Sequence, residues 1–215
     1  MRLLLIRHAR IAGDPFLCPT RPVSGCLSEE GVRQANALNL ALKDERIDAA
    51  ISSPYGRALQ TCEIAIAPRD IPVSIVPGLE EWMPNPDVQK MNGTEFEAMC
   101  NRDRERYAEE TWKTEAGEGC YDMYARVIPA FLNALAAHGW RHRMGGWLPD
   151  ANAAEKTIAL FAHGGSLNII LSFLLGLQPF PVGRFAFDLT GAARIDFSPR
   201  RELWHPALNI AAPHP

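Results

Sequence analysis

Leu3-Leu4-Leu5-Ile6-Arg7-His8-Ala9 runs through four apolar residues and then sets a guanidinium beside an imidazole. An unbroken apolar run suits a strand covered by helices on both faces, as in a parallel sheet. In open sheets of that kind the chemistry gathers at the carboxyl ends of the strands. Arg7 and His8 follow the run directly, so this one stretch bears on both the fold and the site.

Outward from it, strands and helices alternate. Ser28 is a good N-cap, Glu29 and Glu30 fall where the helix dipole favours anions, and Val32, Ala35, Leu38 and Leu42 recur at helical spacing. Residues 49–52 read as a second strand. Ser53-Pro54 then supplies a cap and a proline at the first helical position, predicting a helix over 55–65. A third strand over 73–76 stops at Pro77-Gly78. Residues 82–87 are irregular, and Thr94 to Glu97 forms a capping box for a charged helix reaching about Trp112. A further helix spans 122–138, bent at Pro129 and ended by Gly139. The glycine- and tryptophan-rich stretch 139–155 reads as a loop or lid. A strand over 157–162, a helix over 166–175, and a hairpin of 185–189 with 193–197 complete the chain. This order predicts an α/β fold, a three-layer α/β/α arrangement with a mostly parallel central sheet. It is expected to form a single domain over 1–215, with a helical cap inserted at about 82–155.

Composition bounds the function. The chain has 215 residues, 47% hydrophobic and 22% charged, which is enough for a sizeable core. A net charge of −3 offers no general attraction to nucleic acid or an anionic membrane, so neither is expected as a partner. Five cysteines without a CxxC pair suggest reduced thiols. The apolar run at 3–6 is short for a leader, and 167–177 is interrupted by Asn168, Ser172 and Gly176, so a cytoplasmic location is expected.

Polar sets follow each of four predicted strands: Arg7-His8, Ser53 to Arg57, Glu80-Glu81, and His163-Gly164-Gly165. Taken singly, each has an ordinary reading: a surface pair, a solvated arginine, an acidic turn, a hydrogen-bonded core histidine. On one rim of a parallel sheet they form the parts for phosphoryl transfer without a metal: cations for the oxygens, a nucleophile, and an acid for the leaving group. No cofactor is implied. His138 and His142 have helical ligand spacing, but Gly139 should end the helix between them.

These residues resemble the histidine phosphatase superfamily, also called phosphoglycerate-mutase-like. LLLIRHA over 3–9 corresponds to its opening signature, LSEEGVRQA over 27–35 to its next block, and SSPYGRALQT over 52–61 to the block bearing a second phosphate arginine. GLEEW matches the acid's context and LFAHGG the second histidine. The resemblance implies that His8 is the nucleophile and that Arg7, Arg57 and His163 bind the phosphoryl oxygens. Glu81 would then be the proton donor, with Glu80 as fallback. It implies a phosphatase acting on a small phosphomonoester through phosphohistidine. A phosphoglycerate-type mutase or an impaired phospho-ligand-binding protein are the alternatives, and a homodimer is left open. Ala9 stands where the family has glycine, Arg10 where it often has Glu or Gln, and Asp14 where Asn often binds phosphate. Arg10 is accordingly a candidate substrate contact, and so is Gly164, where the start of the helix could add backbone donors. The tryptophans Trp82, Trp112, Trp140 and Trp147 are assigned to a small cap core rather than a pocket, and Arg141 to Arg143 to a solvated loop.

Overall fold

The computed structural model describes residues 1–13, 26–67, 69–107, 115–179 and 183–207. Its strands are β1 (Arg2–Arg7), β2 (Ala49–Ser52), β3 (Val73–Ile75), β4 (Trp140–Arg143), β5 (Gly146–Pro149), β6 (Thr157–Ala162), β7 (Ala192–Arg200) and β8 (Leu203–Ala207). Its α-helices are α1 (Glu29–Ala41), α2 (Gly56–Ile66), α3 (Gly93–Tyr107), α4 (Cys120–Ala137) and α5 (Gly164–Leu174). One sheet takes the order β3-β2-β6-β1-β7-β8-β5-β4. Its β3-β2-β6-β1 half is parallel and the remaining pairings are antiparallel.

The apolar run of β1 serves both faces at once. Leu4 and Ile6 pack with Ala159 and Phe161 of β6 under α1 and α2. Leu3 and Leu5 point the other way, with Ile158 and Leu160, into the larger core beneath α4 and α5. The period-two alternation of a strand divides one hydrophobic run between two helical layers.

Three details differ from the sequence expectation. Residues 139–155 contribute β4 and β5, whose hairpin turns at Met144 and Gly145, both at positive φ (50° and 77°) as a type I′ turn demands. Trp140 and Trp147 are buried in the principal core, and α4 packs there too. Elsewhere in the expected cap, among the described residues, Val88, Met99 and Ala116 form a small cluster of their own. Trp82 touches both clusters, while Trp112 lies outside the described residues.

Second, the final hairpin is β7 with β8, and 185–189 is not a strand. The Asn168 carboxamide accepts from the Phe185 amide and donates to its carbonyl, both at 2.8 Å, occupying groups that a ladder would need. Third, the box at the start of α3 is formed by Asn92 and Glu95 rather than Thr94 and Glu97: Asn92 Oδ1 accepts from Glu95 N at 3.0 Å and Glu95 Oε2 from Asn92 N at 2.9 Å. Among the described residues no helix is long and apolar enough to cross a membrane.

If the β4-β5 hairpin is core rather than lid, Trp147→Ala should cost about 3–5 kcal/mol in urea unfolding. Met144→Ala at the exposed turn should stay within about 0.5 kcal/mol of wild type. Similar small effects from both would return the hairpin to the surface.

Candidate active site

β1 and β6 pair in parallel with Arg7 opposite Ala162, so the next residues, His8 and His163, leave neighbouring strands at one level. Their ring centroids are 5.1 Å apart. His8 is 8% exposed. Its Nδ1 lies 2.8 Å from the Ala9 carbonyl, which can only accept, so Nδ1 carries the hydrogen and Nε2 keeps its lone pair. Burial pushes the His8 pKa down to about 3; the Ala9 carbonyl opposes this, and Arg57 and Arg7 add to it. The ring is therefore neutral in ordinary conditions and fixed in one tautomer, as a nitrogen nucleophile needs.

The arginines are held from behind. Arg7 Nη1 donates to the Phe187 carbonyl at 2.6 Å, while its buried Nε has no hydrogen-bond partner among the described residues. Arg57 is 4% exposed, donates from Nε to His163 Nδ1 at 3.2 Å, and lies 4.8 Å over the Tyr55 ring. His163 is fully buried and its pKa is pushed well below the usual value, by desolvation first and then by Arg57. Its Nε2 reaches Ser53 Oγ at 2.8 Å. Both ring nitrogens are thus engaged, and direct contact with a phosphoryl oxygen requires one of those bonds to be exchanged.

Glu81 approaches from the loop after β3. Its carboxylate accepts from the Gly165 amide at 3.0 and 3.1 Å and from the Trp82 amide at 2.9 Å. A side chain at Gly165 would collide with Glu81 Oε1, and a Cβ at Gly164 would lie 3.7 Å from Arg7 Cζ and 3.9 Å from Glu81 Oε2. The carboxylate therefore sits at the start of α5, where the Arg7 guanidinium borders the same Gly164. Glu80 turns elsewhere, accepting from Gly78 N at 2.7 Å and pairing with Arg126 at 3.4 Å.

Ala9 is absent from the residues at positive φ and packs against Leu27 and Ala35, so alanine in place of the family's glycine brings no backbone strain. The Arg10 side chain is exposed, and its backbone anchors the start of α1: its amide donates to Gln34 and its carbonyl accepts from Ser28 N. Asp14 lies outside the described residues. His138 caps α4 and His142 lies on β4, divided by Gly139 at φ 89°.

A signature running from residue 3 to 206 matches the histidine phosphatase superfamily (branch 1). The chain belongs to that superfamily. It is 24% identical, over 96% of its length and 100% of the relative, to the adenosylcobalamin/alpha-ribazole phosphatase of Salmonella typhimurium. It is 26% identical to the glucosyl-3-phosphoglycerate phosphatase of Mycolicibacterium vanbaalenii, covering 98% of this chain and 96% of that one. The alpha-ribazole phosphatase of Shigella flexneri superposes with a TM-score of 0.68 at 22% identity, covering 97% of this chain and 95% of that one. The chain is a hydrolase of phosphate esters, with the mixed α/β fold of its superfamily.

Several residues of the site had no chemical role assigned from the sequence, although Ser53 and Tyr55 fall in the polar set 53–57. Ser53, expected as a helix cap, accepts from Tyr55 N and meets His163. Thr61 Oγ1 accepts from the Ala9 amide at 3.0 Å, and Tyr55 meets His163 edge-on, with ring centroids 5.2 Å apart. Asn168 did leave a trace, as a polar residue inside the apolar run of α5.

The two neutral histidines predict acid sensitivity. His8 has a folded pKa below its ordinary 6.5, so its contribution to stability is complete above that value and is lost as pH falls toward about 3. His163 shifts in the same direction. The Tm should fall between about pH 7.5 and about pH 5, and His8→Asn should lessen the fall. An equal fall in the variant would count against His8 as a source.

Proposed function

We propose that this chain is a phosphatase of small phosphomonoesters in which His8 is the nucleophile and Glu81 the proton donor. His8 Nε2 forms the bond to phosphorus as the ester P–O bond breaks, and Glu81 gives its proton to the departing oxygen. The Glu81 carboxylate then takes a proton from water, whose oxygen attacks phospho-His8. Cleavage of the P–N bond releases phosphate and restores His8. Arg7 and Arg57 hold the non-bridging oxygens, and His163 joins them by exchanging its bond to Ser53 or Arg57.

The observation that carries this reading is the neutral, tautomer-locked His8 beside Arg7, whose buried Nε has no partner among the described residues. Glu81 is preferred over Glu80 because its carboxylate meets the Gly165 amide at the start of α5, directly after His163, whereas Glu80 is turned to Gly78 and Arg126. The insertion at about 82–155, which follows Glu81 directly and holds the apolar cluster of Val88, Met99 and Ala116, is proposed as the cap that selects substrate. Arg10, exposed two residues past His8, is proposed to attract a second anionic group. A second reading, a protein that binds phosphorylated ligands without turnover, rested partly on Ala9, and the unstrained backbone there removes that support.

His8→Ala should abolish turnover while leaving the fold intact, and acid-labile phosphate should be trapped on wild-type His8 after a rapid quench. Near-normal turnover by the alanine variant would exclude the mechanism. Release of inorganic phosphate without transfer to a second hydroxyl separates phosphatase from mutase. A panel of phosphorylated metabolites, including glucosyl-3-phosphoglycerate and the phosphate ester of alpha-ribazole, would identify the substrate class.

Glu81→Gln should lower turnover of alkyl phosphates by about 10²–10⁴-fold. Gly165→Ala should mimic it in part, because the new methyl displaces the carboxylate. If Glu80→Gln were the damaging change instead, the assignment would reverse.

A further inference from the structure

The backbone that carries Glu81 lies outside the helices and strands, between the short edge strand β3 and the 3-10 turn Pro86–Lys90. What fixes it comes from α4. Arg126, with its side chain 18% exposed, grips Glu118 with a fork: Nε donates to Oε1 at 2.7 Å and Nη2 to Oε2 at 2.6 Å. Its other donors go to the loop's carbonyls. Nη1 donates to Gly78 at 3.0 Å and Glu80 at 3.2 Å, and Nη2 to Glu81 at 3.2 Å.

Glu118 holds the far side of the same loop. Its carboxylate accepts from the Met83 amide at 2.9 Å, and its own amide donates to the Met83 carbonyl at 3.1 Å. Its carbonyl accepts from the Trp82 indole at 2.8 Å. One forked ion pair thus spans the backbone on both sides of Glu81, and the Glu81 carboxylate meets the Gly165 and Trp82 amides from that fixed base.

We propose that Arg126, backed by Glu118, is a positioning residue that holds Glu81 where it can protonate the leaving oxygen. This rests on the reading of Glu81 as the acid. Proton transfer requires hydrogen-bond reach in the reacting complex, and a displacement of about 1 Å can cost about 10²-fold. The planar fork matters as much as the charge, because lysine has no rigid pair of donors to serve Glu118 and three carbonyls together.

The test compares Arg126→Ala and Arg126→Lys, each alone and with Glu81→Gln, on phosphate esters ranging from nitrophenyl to alkyl. Values of kcat/KM are read because they cover only the steps up to the first P–O cleavage, and thermal melts check folding. Arg126→Ala should lower kcat/KM for alkyl esters by roughly ten-fold or more and for nitrophenyl phosphate much less. Arg126→Lys should recover part of that loss, and neither change should add to Glu81→Gln. An equal loss on all esters, or losses additive with Glu81→Gln, would overturn the proposal and leave Arg126 a stabiliser of the fold. If the alanine variant does not fold, the lysine variant decides, and a wild-type dependence on leaving group in it overturns the proposal. A Glu81→Gln variant insensitive to leaving group removes the acid assignment itself, an outcome visible without any change at Arg126.

Discussion

The parallel pairing of β1 with β6 sets Arg7 against Ala162, and the rest of the site is arranged around that register. It delivers His8 and His163 side by side, with the His8 amide bonded to the Ala162 carbonyl at 3.0 Å. A slip of one residue would exchange the two faces of β1, sending Leu3 and Leu5 toward α1 and α2 and separating the rings. Burial on both faces makes such a slip costly, so the core that stabilises the sheet also sets the spacing of the imidazoles.

That spacing places two imidazoles among buried guanidiniums, which decides their charge. In water each histidine would titrate near neutrality. Here desolvation and the arginines keep both rings neutral, and backbone or side-chain partners choose which nitrogen carries hydrogen. Cationic groups therefore remain beside an imidazole nitrogen, Nε2 of His8, that stays unprotonated. A chain of net charge −3 concentrates positive potential where it is needed without being basic overall.

Much of this was legible in the sequence because burial on two faces leaves an unmistakable run, and because three of the four polar sets come directly after such a run, in β1, β2 and β6. Arg7, His8, Arg57 and His163 could be named on that basis, whereas Glu81 was separated from Glu80 only by the family resemblance of GLEEW. The β4-β5 hairpin was not legible: its glycines look like loop punctuation, and only the burial of Trp140 and Trp147 against distant strands makes it sheet. The stretch 185–189 misled for the opposite reason, since its alternating apolar residues suggest a strand while the side chain of Asn168 holds its backbone. The tautomer of His8 rests on a carbonyl that every residue possesses, so no sequence pattern could have signalled it.

The split of the β1 side chains between two cores has a mechanical consequence. Arg57 rides on α2, whose packing is the smaller core with Leu4, Ile6 and Phe161. Glu81 is tied through Arg126 to α4 and through Gly165 to α5, which close the larger core on the opposite face. The sheet thus acts as a partition with half of the site's charge fastened to each side. Repacking beneath α2 shifts the cation, repacking beneath α4 shifts the carboxylate, and the imidazoles at the strand ends are the fixed reference from which each displacement is measured.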